Sequence, residues 1–258
     1  MPCYKTGKPP GGTSVKILLA IVASFLLVGN AFADDAPVSP ETWNAYQGTT
    51  LKTVTHRPAD FLAMTANRVR VPIGGLFIMT GKGNGLVRDD QIVDPALAIA
   101  AKLSADMANR LKPANMTTLA DQVSLSDETL AGVAGSKGLV LDVETTSWGY
   151  MYFSLDWSHY RATYFARVKL LDAATGKPIV KTRCSIDPDK DATSPTGDEM
   201  LVDNGARLKA MLAADGDACL ASVEKDLFGV TATTPTAPPA SEPPAAPVPA
   251  TPPPAKMN

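Results

Sequence analysis

The sequence predicts an α+β fold with α/β-like alternation: one mixed sheet of about five strands with about three helices packed on it. Three observations predict it. Runs of β-branched and aromatic residues alternate with segments whose apolar residues recur every three or four positions. Two late β-rich runs are joined by Asp172-Ala173-Ala174-Thr175-Gly176, an Asp with a Gly a few residues on, which is a hairpin signal. The 258 residues are 45% hydrophobic and 19% charged, enough apolar material for one ordinary core.

Taken in order, Val69–Met79 (VRVPIGGLFIM) reads as a first strand, with Pro72 and Gly74-Gly75 pointing to an edge or a bulge. Gly81-Lys82-Gly83-Asn84-Gly85 reads as a loop, because it lacks the glycine spacing and the Gly-Lys-Ser/Thr of a phosphate cradle. Asp94-Pro95 is a helix N-cap followed by proline at the first turn, and Pro113 is a stop. Between them Leu97, Ala100, Leu103, Met107 and Leu111 form one apolar face. A short strand near Met116–Leu119 precedes a small helix that starts at Ser126, with Leu130 and Val133 inward. Gly138–Glu144 and Ala162–Leu171 read as strands, the second turning into Pro178–Ile186. The last element is a helix from about Asp198 to Leu227, with Leu201, Leu208, Met211 or Leu212, Cys219, Val223 and Leu227 on one stripe and Gly205 and Gly216 as weak spots.

The two ends stand apart from this domain. Lys5, Lys8 and Lys16 precede an uncharged apolar run, Ile17–Val28, and Ala31-Phe32-Ala33 offers small residues before Asp34, the pattern of a cleaved secretory signal peptide over 1–33. An uncleaved anchor is the alternative. Cleavage removes three Lys and no acid, leaving 21 basic and 26 acidic residues, net −5, a balance unsuited to nucleic acid. Residues 34–68 read as an N-terminal extension and 69–229 as the domain. From 230 to 258 the chain is Pro- and Ala-rich, with ten Pro after Thr231, and no core is available to it, so an extended disordered tail is expected.

The first long helix DPALAIAAKLSADMANRL, the segment GSKGLVLDVET and the hairpin VKLLDAATGKPIV carry a resemblance. Over roughly Val69–Leu227 the order of elements resembles the envelope domain shared by the amino-terminal part of TolB, the curli-secretion lipoprotein and the outer-membrane lipoproteins that activate penicillin-binding proteins. The lipid-attachment cysteine of many relatives is absent, and an aromatic-rich insertion separates the central strands. The resemblance implies a periplasmic, non-catalytic module that binds envelope proteins.

Residue by residue, chemistry is scarce. Ala134–Gly138 has the glycines of a nucleophile elbow, but helix precedes and strand follows, the reverse of the required order. Ser222-Val223-Glu224-Lys225 lacks its supporting motifs. Asp142 and Glu144 share one strand face and read as its wet side. His159 lies beside Ser158 and Asp156, whereas triad members converge from separate segments; His56 is the other imidazole. Three cysteines and two histidines leave no material for a zinc cluster, so no metal and no cofactor are expected. Cys184 and Cys219, the two cysteines left after cleavage, are expected to pair in an oxidising compartment.

Six of the sixteen aromatic residues fall in Trp148–Tyr160 (WGYMYFSLDWSHY). Trp148, Tyr150, Tyr152, Phe153, Trp157, His159 and Tyr160 are therefore the candidates for partner binding, on a long loop or hairpin tip. The competing reading is a local core, with the rings folded over the sheet and Asp156 and His159 capping the turn. The function expected is that of a periplasmic accessory protein for envelope assembly or transport, acting on envelope proteins or cell-wall material, with no nucleic-acid partner and no membrane span after cleavage. The alternative is a periplasmic hydrolase with an unidentified nucleophile. Truncation after Gly229 is expected to leave the thermal midpoint unchanged, and a drop of several degrees in a melting experiment would show that the tail packs on the domain.

Overall fold

The computed structural model describes residues 37–65, 75–123, 125–134 and 137–229. The expected signal peptide and proline-rich tail lie outside the described residues. The elements run α1 (Pro40–Ala45), β1 (Thr50–His56), β2 (Phe61–Ala63), α2 (Gly75–Asp89), α3 (Pro95–Leu111), β3 (Asn115–Gln122), α4 (Asp127–Ala134), β4 (Leu139–Phe153), β5 (Asp156–Asp172), β6 (Pro178–Ile186) and α5 (Gly197–Phe228). They form the expected mixed sheet, with six strands in the order β3-β1-β4-β5-β6 and β2 also paired to β4. Pairings β1–β3, β1–β4 and β2–β4 are parallel, whereas β4–β5 and β5–β6 are antiparallel.

The direction of the chain explains the layers. From β1 the chain steps outward to β3, then back past β1 to β4. Parallel connections are right-handed, so a reversal of step puts the two connecting helices on opposite faces. The side chains agree. Leu51, Leu139, Leu141 and Val143 join α3 and α5 in the main core, whereas Val54 and Val140, of opposite parity, join Leu130 of α4, Leu171 and Ala173 in a second, smaller one.

Helix α3 begins as its sequence requires: the Asp94 carboxylate accepts from the Ala96 N–H at 2.9 Å, and Lys112 ends it in the left-handed region at φ 45°. One assignment shifts. Leu97 is 47% exposed, and the inward stripe is Ala96, Ile99, Ala100, Leu103, Met107 and Leu111. Spacing alone did not separate the core stripe from a neighbouring one.

Two larger corrections concern the amino-terminal half. The segment read as an extension supplies β1, which lies between β3 and β4, and β2. Thr50-Leu51-Lys52-Thr53-Val54-Thr55-His56 holds too few apolar residues to announce a central strand, yet Leu51, Thr53, Val54, Thr55 and His56 are all buried. Of the expected strand 69–79, residues 69–74 lie outside the described residues, and 75–79 begin α2. Gly81–Gly85 is likewise helix, not loop. The reason is tertiary. At Gly83 the helix backbone approaches β2 so closely that a built Cβ would lie 1.9 Å from the Phe61 carbonyl oxygen. Beside it the Asn84 side chain accepts from the Phe61 N–H at 2.9 Å and donates to Asp60 at 2.8 Å. Glycine's low helix propensity is outweighed by docking that only glycine permits.

Helix α5 starts with a capping box, Thr196 with Glu199, and breaks at Val202–Gly205, where Asp203, Asn204 and Gly205 all have positive φ. Beyond the break, Leu208, Leu212, Cys219, Val223 and Leu227 are buried. Cys219 is bonded to Cys184 of β6 across a Cα–Cα distance of 5.4 Å, as the cysteine count predicted. The bond spans 35 positions and ties the last helix to the last strand. By loop-closure entropy it stabilises the fold by roughly 3–4 kcal/mol. Ellman titration of the unreduced, denatured, signal-free chain is expected to find no free thiol, and reduction to lower the melting temperature by about 10 °C; two titratable thiols per chain would contradict the bond.

Candidate functional site: an aromatic hairpin and a charged sheet face

The aromatic segment forms the distal half of the β4–β5 hairpin, which turns at Ser154-Leu155. Its geometry depends on one extra residue. Thr145 pairs with Ala166 and Ser147 with Phe165, so Thr146 has no partner position and β4 bulges there. The Thr146 hydroxyl donates to the Phe165 carbonyl at 3.1 Å. Up to the bulge the odd residues Leu139, Leu141 and Val143 face the main core; beyond it the even residues Trp148 and Tyr150 do. β5 keeps one parity throughout, with Leu170, Val168, Ala166, Tyr164, Ala162 and Tyr160 all inward. Without the bulge Ser147, Gly149 and Met151 would point inward instead.

Most of the rings are therefore core. Trp148, Tyr150, Phe153 and Tyr160 are buried. Trp148 packs edge-on against Phe61 at 4.9 Å between centroids, and its indole N–H donates to the Ala59 carbonyl at 2.7 Å, bridging the gap between β1 and β2. Phe153 lies beneath the Arg161 guanidinium at 5.0 Å. Tyr152 is partly buried between Tyr160 and Trp157, at 6.5 and 6.1 Å. What reaches solvent is the tip: Leu155 is 99% and Trp157 54% exposed. Of the seven candidates, burial thus removes Trp148, Tyr150, Phe153 and Tyr160 from the surface, and Leu155, which the sequence reading did not single out, joins the exposed set.

Asp156 holds the tip in shape. One carboxylate oxygen accepts from the Ser158 N–H at 3.0 Å and its hydroxyl at 2.5 Å; the other accepts from His159 Nδ1 at 2.7 Å and from Lys190. These donors, Lys190 foremost, hold the carboxyl well below the ordinary range. The Tyr160 N–H donates to Pro195, anchoring the following loop. Ser158, His159 and Asp156 do meet, but not as a triad. Both Ser158 Oγ, at 3.3 Å, and Asp156 contact the same ring nitrogen, Nδ1. A triad needs the acid on one nitrogen and the nucleophile on the other.

On the α4 face the structure assembles a network that the sequence reading missed. Asp142 and Glu144 were expected on a wet face; Asp142 is instead 1% exposed. It bonds His56 Nε2, while His56 Nδ1 lies 3.2 Å from the Val123 carbonyl oxygen. Both ring nitrogens face acceptors, an arrangement that favours the doubly protonated imidazole. Burial opposes that charge, but the Asp142 carboxylate outweighs it, and the ring's pKa lies above the usual histidine value. Lys169 Nζ lies 3.6 Å from Asp142 and 2.6 Å from Asp127 of α4, and Lys181 lies 2.9 Å from Asp127. Glu144 pairs with Arg167. The only sequence signal was parity: Asp142, Lys169 and Lys181 share one register row.

The proton on His56 links stability to pH. A group whose pKa is raised by folding contributes fully below its unfolded value, about 6.5, and the contribution is lost as the pH rises through the folded value. The unfolding free energy is therefore expected to decline as the pH rises from about 6.5 through the raised folded value. His56→Gln, which leaves the buried Asp142 with Lys169 as its one charged neighbour, should be less stable at pH 6 by about 2 kcal/mol and lack that decline. Urea denaturation of both proteins at several pH values checks this; parallel pH curves would contradict it.

No family model matches the chain, and no curated protein matches it. Among solved structures, it is similar to a Helicobacter pylori homolog of neuraminyllactose-binding hemagglutinin, at 8% identity over 75% of this chain and 89% of that one, with a TM-score of 0.37. It is also similar to a DUF330 protein of Xanthomonas campestris, at 10% identity over 74% and 88%, TM-score 0.32. A lipoprotein of Neisseria meningitidis is similar at 15% identity over 67% and 99%, TM-score 0.24. Among the described residues, no helix is long and apolar enough to cross a membrane.

Proposed function

We propose that the chain is an exported, non-catalytic binding module of the cell envelope that captures an envelope protein or cell-wall material through the tip of the β4–β5 hairpin. The observation that carries the reading is the contrast along that hairpin: its base is packed into the core, while Leu155 and Trp157 project from a turn braced by Asp156 and Lys190. A rigid, exposed apolar pair loses little conformational entropy on binding. The leader-like first 33 residues and the disulfide support export to an oxidising compartment, the periplasm. The cluster of Ser158, His159 and Asp156 lends the hydrolase reading no support, because Ser158 and Asp156 meet one nitrogen of His159.

The test is the double variant Leu155→Ser, Trp157→Ala in a pull-down from envelope extract. Both side chains are largely outside the core, so melting should change by less than 2 °C while capture falls at least tenfold. Undiminished capture by the variant would place the binding surface elsewhere. Tyr152→Ala, which removes a partly buried ring, is expected to lower the melting temperature as well. Turnover of a generic ester or of peptidoglycan by the wild-type protein would restore the hydrolase alternative.

A further inference from the structure

Strands β5 and β6 set two arginines directly against one another. Arg167 and Arg183 are register partners, so their side chains leave the same face of the sheet, with Cβ atoms about 5 Å apart. Arg167 lies two residues from Lys169, which bonds Asp127, so this is the face on which α4 packs. The apolar contacts of α4 are with Val54, Val140 and Leu171. The row of the two arginines is open to solvent: Arg183 is exposed and Arg167 partly so, as are Ser185 and Phe165 in the next paired position.

Like charges opposite one another on neighbouring strands destabilise a sheet. Here a single carboxylate answers both, since Glu144 of β4 pairs with Arg167. Arg183 has no ion pair or hydrogen bond among the described residues. The Arg167 Nε–H is buried and likewise has no acceptor among them. A buried donor is costly to leave unfilled, and it marks the place of an acceptor. The adjacent row gives no relief. There Asp142 and Asp127 are already taken by His56, Lys169 and Lys181, so five cations in the two rows face three carboxylates. Glu128, exposed on α4, offsets one of them at most. Farther along β5, Arg161 is matched by Asp187 at 2.8 Å. Charged residues on an edge strand discourage sheet-to-sheet association, which accounts for Lys181 and Arg183 singly but leaves the Arg167 donor unfilled.

We propose that Arg167 and Arg183 bind a phosphoryl group, a compact dianion held between the two guanidinium groups, with the Ser185 hydroxyl as a further donor. Guanidinium forks match the oxygens of a phosphate two at a time, and the double charge answers the excess of cations. The bound oxyanion removes the repulsion between the opposed arginines. Free phosphate and the phosphomonoester headgroup of a lipid share this chemistry.

Inorganic phosphate is the first probe, titrated into the purified signal-free chain at about pH 7 with the ionic strength held constant by sodium chloride. Acetate is the singly charged control. Arginine side-chain NMR is expected to show a saturable shift of the Arg167 Nε–H resonance, with acetate about tenfold weaker. Arg183→Gln should weaken phosphate about tenfold, whereas Lys181→Gln, which removes a neighbouring charge of β6, should weaken it about twofold at most. Arg183 is exposed, so its variant should keep the melting temperature within about 2 °C. Absence of a saturable shift would overturn the proposal. So would equal binding of phosphate and acetate, or equal weakening by the two variants, which marks a diffuse field rather than a site. Phosphatidylcholine vesicles containing phosphatidic acid are the second probe. Their retention of the wild type but not of Arg183→Gln identifies the phosphoryl group as a lipid headgroup; phosphate binding without such retention identifies it as a soluble one. The hairpin variant Leu155→Ser, Trp157→Ala should bind phosphate as the wild type does, which separates this site from the one proposed for the partner.

Discussion

The architecture depends on one mismatch of lengths. β4 has fifteen residues and β5 seventeen, whereas the parallel strands that share the other edge of β4 have seven, in β1, and three, in β2. One edge of β4 therefore carries two short partners in succession, with Arg57–Asp60 between them. A break of this kind leaves backbone groups without ladder partners, and buried groups of that type are costly. The Trp148 indole N–H meets the Ala59 carbonyl there. The bulge at Thr146 brings Trp148 to that point, so the bulge, the ring and the break form one solution.

The two faces of the sheet use different physics. On the α3–α5 face the core is continuous and apolar, with one polar insertion in which Thr145 bonds both Asp94 and Tyr164. Burial raises the Asp94 pKa and drives Tyr164 beyond the ordinary phenol range. On the α4 face the apolar cluster is small, and beside it a row of charges crosses the sheet from His56 through Asp142 and Lys169 to Lys181. Exposed ion pairs contribute little, about 0–1 kcal/mol, but this row has a buried end at His56 and Asp142. There the loss of Asp142 strands the His56 charge in a low-dielectric interior, whereas the loss of His56 leaves Asp142 with Lys169 alone. The row holds the end of β1, the backbone after β3 and the start of α4 against the central strands.

The disulfide and the break in α5 act on the same element from opposite ends. The break frees the first turns of α5 to follow the capping box at Thr196, while the bond at Cys219 holds the remainder on β6. A thirty-two-residue helix without the break would run straight for about 48 Å. With it, the first segment and the long second segment take separate directions.

The sequence by itself determined the fold class, α3 with its cap, the hairpin at Asp172–Gly176, the pairing of the two cysteines and the weak point at Gly205. Each of these is a local signal: a period, a capping residue, a turn residue or a count. β1, α2 and the assignment of the aromatic residues were decided by tertiary structure. Thr50–His56 is strand because Leu139–Val143 and β3 lie on either side of it, not because its own residues demand it. Gly81–Gly85 is helix because Gly83 allows contact with Phe61. Trp148 and Tyr150 are core because one unpaired threonine reverses the parity of β4, and no property of Thr146 in isolation announces that. His56 and Asp142 are 86 positions apart and became partners only when β1 and β4 paired. Short-range physics is written along the chain, whereas burial and charge pairing depend on which distant segments meet.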